Sequence, residues 1–196
     1  MRILAGIILG LFLLAEASAS PVANVVKLKG KVVFAGRPLH EGAKILHDGI
    51  VETGPRSYVK IETPFWGNSI VIGPNSQMEF RLENPKEKKK YSFLKGACRW
   101  VRTKKTEKKG AIHTSHVSLG IRGTDFVLIV NPVFGESEVA VLDGEVLMTN
   151  ASQLDDKKIV KKGQWGGVGG RYGSTIGEIL DLPNKVIDKF EKILRK

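Results

Sequence analysis

The chain has 196 residues, one cysteine, a formal net charge of +11, and 42% apolar against 26% charged residues. This composition is globular and excludes a wholly disordered chain and a polytopic membrane protein. The single Cys98 excludes an intramolecular disulfide, a cysteine-rich zinc site and an iron–sulfur cluster.

Residues 1–19 read as a signal peptide. Arg2 opens it, Ile3 to Leu14 form an apolar run of 12 residues, and Ala17-Ser18-Ala19 is an A-x-A cleavage site. A spanning helix needs about 20 apolar residues, so the run is short for an anchor. Cleavage after Ala19 and a periplasmic or secreted mature chain are expected.

From Val25 to about Val168, short β-branched and aromatic runs alternate with turn residues. Strands are expected near 25–35, 44–52, 57–63, 69–73, 77–82, 91–102, 111–119, 124–131, 137–142, 145–149 and 157–161. Gly54-Pro55, Gly73-Pro74-Asn75, Asn131-Pro132 and Asp143-Gly144 mark turns. Four segments share an apolar-x-Gly-x-apolar shape: Leu28 to Val32, Leu94 to Cys98, Leu142 to Val146 and, more weakly, Lys161 to Trp165. Their glycines stand 66, 48 and 19 residues apart, which excludes a fixed-period solenoid. Each predicts a hairpin or corner that needs positive φ. The expected fold is all-β, an irregular β-solenoid or sandwich-like domain over residues 20–168.

Residues 169–196 are expected to form a Gly-rich linker and a C-terminal amphipathic helix. The glycines of 166–170 follow no βα unit and read as flexible. Thr175 and Glu178 form a capping box, and Pro183 suits a first helical turn. Val186, Ile187, Phe190, Ile193 and Leu194 make one apolar stripe among lysines. The stripe is expected to pack on the β core, with an anionic membrane or a partner as the alternative.

Charge is segregated. Residues 86–109 carry 11 Lys/Arg against 2 Glu, whereas residues 110–156 carry Arg122 against 7 Asp/Glu. Lys88, Lys89 and Lys90 form one cluster; Lys104, Lys105, Lys108 and Lys109 form another. A strand pair between them would bring both clusters to one end of the domain, where they would attract an anionic polymer or lipid head groups. Solvated loops that protect strand edges are the alternative. Export argues against nucleic acid.

Several segments, taken in order, resemble the FecR domain family. They are Gly49 to Ile61, Ile70 to Phe80, Val117 to Phe126, the Val141 to Val146 hairpin and the Lys162-Gly163-Gln164 ending. The sharpest is Arg122-Gly123-Thr124-Asp125-Phe126, preceded by an apolar strand; Ser115 stands where the family usually has proline. The resemblance covers about residues 28–166. It implies a β-rich periplasmic domain of solenoid-like or sandwich character. The best-known members relay a signal from an outer-membrane transporter to a sigma factor, through a cytoplasmic anti-sigma segment and a transmembrane helix. Neither is read in this chain, so only the extracytoplasmic module is expected to carry over.

Arg122 to Phe126 read as a structural corner. Gly123 permits the bend, Arg122 is expected to pair with a carboxylate, and Thr124 and Asp125 to bond nearby backbone. His113 and His116 would need a turn at Thr114-Ser115 to meet on a metal. Cys98 alternates with Trp100 and reads as a small buried side chain. There is no nucleophile-elbow motif and no phosphate loop. No catalytic residue, cofactor or metal is expected. The expected function is a non-enzymatic envelope module that binds a protein or an anionic envelope component. The alternative is a hydrolase or lyase acting on an envelope polysaccharide, which needs a carboxylate pair in a groove.

Overall fold

Buried and exposed residues alternate along most of the chain, as they do in strands with one face on a core. The computed structural model describes residues 23–63, 67–83, 89–103, 110–192 and 194, and of Arg122 and Gly123 the backbone alone. The strands are β1 (Ala23–Lys29), β2 (Val32–Phe34), β3 (Arg37–Pro38), β4 (Lys44–Ile45), β5 (Gly49–Thr53), β6 (Tyr58–Thr63), β7 (Asn68–Ile72) and β8 (Gln77–Phe80). They continue with β9 (Tyr91–Arg102), β10 (Gly110–His113), β11 (Val117–Asn131), β12 (Glu136–Asn150), β13 (Lys157–Lys161), β14 (Gln164–Val168) and β15 (Leu180–Asp181). One helix, α1 (Asn184–Lys192), follows. The chain is all-β with a short C-terminal helix, as expected.

The strands form one sheet that folds over on itself. One half runs β4-β1-β6-β7-β9-β11-β12-β14-β15; the other holds β3, β2, β5 and β8 on β9, and β13 on β12. Among the described residues the pairings are antiparallel except β9 with β10. The long strands β9, β11 and β12 serve both halves. Lys95 to Tyr91 of β9 pair with β8, and Cys98 to Arg102 pair with β7. Likewise β12 gives Ser137 to Ala140 to β14 and Glu145 to Thr149 to β13. Both halves turn their inner faces to one core, in which Trp100, Tyr91, Phe80, Phe93 and Phe126 are the largest fully buried side chains.

The four glycines singled out in the sequence all have positive φ, at 77° (Gly30), 94° (Gly96), 76° (Gly144) and 80° (Gly163). Gly96 and Gly144 are bends inside continuous strands, so the expected pair 137–142 and 145–149 is one strand. Gly30 and Gly96 share a device. A Cβ on Gly30 would run into Ser57 and one on Gly96 into Ser76. Each serine hydroxyl accepts the N–H after its glycine, Lys31 at 2.9 Å and Ala97 at 3.1 Å. Each donates to a proline carbonyl two residues back. The turns Gly54-Pro55-Arg56-Ser57 and Gly73-Pro74-Asn75-Ser76 are thus structural twins, with Arg56 and Asn75 at φ 54° and 51°.

Two expectations are corrected. Gly166 and Gly167 are not linker but buried residues of β14; absent side chains let Ile179 and Tyr172 lie against them. No helix starts at the Thr175–Glu178 capping box, because Leu180 pairs with Trp165 in the sheet. The helix begins after Pro183, whose carbonyl accepts the N–H groups of Val186 and Ile187.

Candidate functional site

The Arg-Gly-Thr-Asp-Phe segment is where β11 bends from one half of the sheet to the other. Its register with β12 slips between Arg122 and Asp125, and again before Phe126. The bend turns Phe126 into the core, stacked on Trp100 with centroids 6.3 Å apart. It turns Asp125 outward to Arg99, whose Nε and a terminal nitrogen donate to the two carboxylate oxygens at 2.9 and 2.7 Å. A forked pair of this kind is strong and fixes orientation. Its side chains are only 12% and 21% exposed. A half-buried ion pair, as expected of this corner, is thus made by Arg99 with Asp125; the Arg122 side chain, expected to pair with a carboxylate, lies outside what is described. Arg122 stands opposite Glu145 in the ladder. Thr124 is buried, and its hydroxyl has no hydrogen-bond partner among the described residues. Arg99 was hidden in the sequence because its partner lies 26 residues away.

Arg99 also donates to the Glu191 carbonyl at 2.6 Å, which fastens the end of α1 to the bend. The helix lies on the outer face of the sheet. Strand registers align Lys27, Lys60, Val71, Arg99, Val127, Ala140, Trp165 and Leu180 across that face. The apolar end of the row is covered by α1. Val127, Ala140, Leu142 and Phe190 form a second buried cluster, with Ile129, Trp165, Leu182, Val186 and Ile187 at its margin. Phe190 meets Trp165 edge to face at 5.3 Å. The stripe expected at Val186, Ile187 and Phe190 thus packs on the β domain, while Ile193 lies outside the described residues.

The basic end of the row is open. A groove of ≈ 190 Å³ is lined by Lys60, Ser69, Val71, Arg99, Val101, Thr103 and Leu194. Ser69 is 4% exposed, and its hydroxyl has no partner among the described residues. Another groove, ≈ 320 Å³, lies at the β2–β3 hairpin against Phe34, Arg37, Leu39 and His47.

Of the two lysine clusters, Lys89 and Lys90 are described; Lys88, Lys104, Lys105, Lys108 and Lys109 lie outside the described residues. The segment between them is no strand pair. It is the single bent strand β9, with Lys90 before one end and Thr103 after the other. His113 and His116 flank a turn at Thr114-Ser115, and no three His, Cys, Asp or Glu gather as metal ligands among the described residues. Cys98 is fully buried, and burial pushes its thiol far above the ordinary range.

One polar cluster joins residues that no local pattern of the sequence links. Glu138 accepts from Tyr172 at 2.7 Å and from Arg171, and Trp165 donates to the Tyr172 hydroxyl at 3.0 Å. Burial, then the bond to Glu138, raises the Tyr172 pKa. Bonds to Tyr172 and Glu138 hold Arg171 more firmly charged. The Arg171 N–H donates to Glu136 at 3.0 Å. Glu136 and Glu138 share one strand face, yet both are engaged in pinning 170–172 to the sheet. No helix among the described residues is long and apolar enough to cross a membrane.

Fold and bend together define an all-β module built on three long strands, with its family motif at the fold-over of the sheet. The chain belongs to the FecR family: the family described as FecR protein matches residues 50–147, half of the sequence. Two crystal structures of a candidate anti-sigma factor from Parabacteroides distasonis, at 2.50 and 1.65 Å resolution, share the fold. They superpose with TM-scores of 0.52 and 0.53 at 15% identity, over 70% of this chain. This chain spans 62% of their length. No curated protein matches it.

Proposed function

We propose that this chain is an exported, non-catalytic FecR-type module that recognises a protein in envelope signalling. The observation that carries the reading is the FecR match over residues 50–147, on a fold shared with a candidate anti-sigma factor. The A-x-A site supports export, with Ser20 as the mature N-terminus. An anionic envelope component is the second class of partner, supported by the lysine clusters at Lys88 to Lys90 and Lys104 to Lys109. The polysaccharide-enzyme alternative needs a carboxylate pair free in a groove. Glu136 and Glu138, which share a strand face, are instead held by Arg171 and Tyr172, and this favours binding over catalysis.

Deleting the gene and restoring it with or without residues 1–19 tests the reading. A defined set of envelope transcripts should change on deletion and recover only with the full-length gene. Unchanged transcription with altered envelope polysaccharide would overturn it in favour of an enzyme.

A further inference from the structure

We propose that copies of this chain join head to tail, the β11–β12 turn of one seated in the groove at the β2–β3 hairpin of the next. This goes beyond the reading of the chain as a protein-binding module and does not depend on it.

Two apolar features of the surface are not explained by the fold. The first is a knob. Val133 and Phe134 sit in the turn between β11 and β12, 85% and 66% exposed. Their turn is held in shape: Asn131 Oδ1 accepts the Val133 N–H at 3.2 Å, and Gly169 packs so closely that a Cβ on it would strike the Gly135 carbonyl. The turn between β12 and β13 adds Leu154, 68% exposed. Both turns meet at His116, whose carbonyl accepts the Ala151 N–H and whose ring lies beside Gly135. Apolar side chains held rigidly in water are the material of protein contacts. The second feature is the ≈ 320 Å³ groove of Phe34, Ala35, Arg37, Pro38, Leu39 and His47. Its wall includes the Ala35 methyl group at φ 48°, in a turn with Gly36 at φ 77° that by itself favours Asn, Asp or Gly. An apolar cavity of about 150 Å³ already takes a benzene ring. The groove therefore has room for the Phe134 ring with Val133 beside it.

Register and charge select a second copy as the occupant. Gly96 stands opposite Val130, so the knob lies at the end of the molecule where β9 bends. Phe34 stands opposite Val51, Gly49 opposite Phe80, and Phe80 opposite Tyr91, so the groove lies at the other end. A copy cannot fill its own groove, and each can offer its knob to the next. Beside the knob Asp155 stands exposed, and Glu136 and Glu138 share Arg171; Lys95 is a base at the same end. At the groove Arg37 and His47 form the rim, and Lys90 lies near it. The acid there, Asp48, already accepts the Leu82 and Glu83 N–H groups. An acidic knob thus meets a basic rim. The net charge of +11 repels copies in general, so the contact is weak and forms on concentration. Knob and groove are different surfaces, so the contact is heterologous and every assembly keeps a free knob and a free groove at its ends.

The test is sedimentation velocity of the purified chain at rising concentration. The wild type should pass beyond a dimer as it is concentrated. Val133→Ser with Phe134→Ser removes the knob, and Arg37→Glu with His47→Glu turns the rim acidic. Each variant should stay monomeric wherever the wild type associates. All four positions are exposed, and thermal melting checks that both variants remain folded; Arg37→Gln alone replaces the groove variant if it does not. An equimolar mixture of the two variants should form a one-to-one dimer and stop there, since it holds one working groove and one working knob. A wild type that remains monomeric, or that stops at a dimer, would overturn the proposal. So would a mixture that stays monomeric, or association that survives in either variant. Binding of a monomeric wild type to phosphatidylcholine vesicles, lost with the knob, would also overturn it, since the knob would then be a lipid anchor. None of these outcomes touches the deletion experiment, which tests the signalling role itself.

Discussion

Two apolar clusters hold this protein together, and they differ in construction. The main one lies inside the folded sheet and draws on strands from β1 to β14. Its aromatic side chains meet in a chain, Phe80 on Tyr91 at 5.4 Å, Tyr91 on Trp100 at 5.6 Å, and Trp100 on Phe126. The second lies outside the sheet under α1, and its four buried residues come from β11, β12 and the helix. The first cannot open without parting the strands. The second can open by the loss of one short helix. That contrast separates what makes the fold from what covers one of its faces.

Trp100→Ala should produce the largest effect, since it empties the centre of the main cluster. A loss of about 3–5 kcal/mol is expected by chemical denaturation. A loss below about 1 kcal/mol would mean that the inner cluster does not dominate. Gly96→Ala comes next. The new Cβ meets Ser76 at a residue with φ 94°, so the bend that carries β9 into both halves must shift. About 2 kcal/mol is expected in the same assay.

Asp125→Asn probes the link between the two clusters. It keeps the shape but removes the countercharge of Arg99, a side chain only 12% exposed. About 1–2 kcal/mol is expected, discounted for partial solvent screening. Hydrogen exchange should place much of the loss in α1, through the shared Arg99. Asp48 serves as a control outside both clusters. Its carboxylate accepts the N–H groups of Glu83 and Leu82, and the Glu83 bond is the main cause of its lowered pKa. A lowered folded value means that its contribution is present above the ordinary carboxylate pKa and fades as pH falls through the lowered one. Asp48→Asn should therefore cost a little stability at neutral pH, a difference from wild type that shrinks as pH falls through the lowered value, while hydrogen exchange of both clusters stays unchanged.

Much of this arrangement was legible in the residues. The strands, the positive-φ glycines and the stripe of α1 follow from local pattern, because alternation, turn chemistry and helical spacing are short-range. The resemblance in Val117 to Phe126 located the bend. The Gly-Pro turns at 54 and 73 are legible as turns, 19 residues apart, but that their serines cap Gly30 and Gly96 in the same way depends on the fold. What the sequence hid depends on distant partners. Only the fold brings Arg99 to Asp125, or Glu138 to Tyr172. The glycines at 166 and 167 mislead for the same reason: they are small so that neighbours can approach, a fact visible only once Tyr172 and Ile179 are in place.

Hydrogen exchange of the wild-type chain, read beside alkylation of Cys98, tests the separation of the two clusters most directly. Cys98 is fully buried in the main cluster and reports its opening; the amides of Ile187 to Lys192 report the opening of α1. Exchange of α1 at least tenfold faster than core-limited opening is expected, with Phe190→Ala accelerating α1 and leaving Cys98 labelling within about twofold. A single shared rate for helix and cysteine, moved together by Phe190→Ala, would contradict the account.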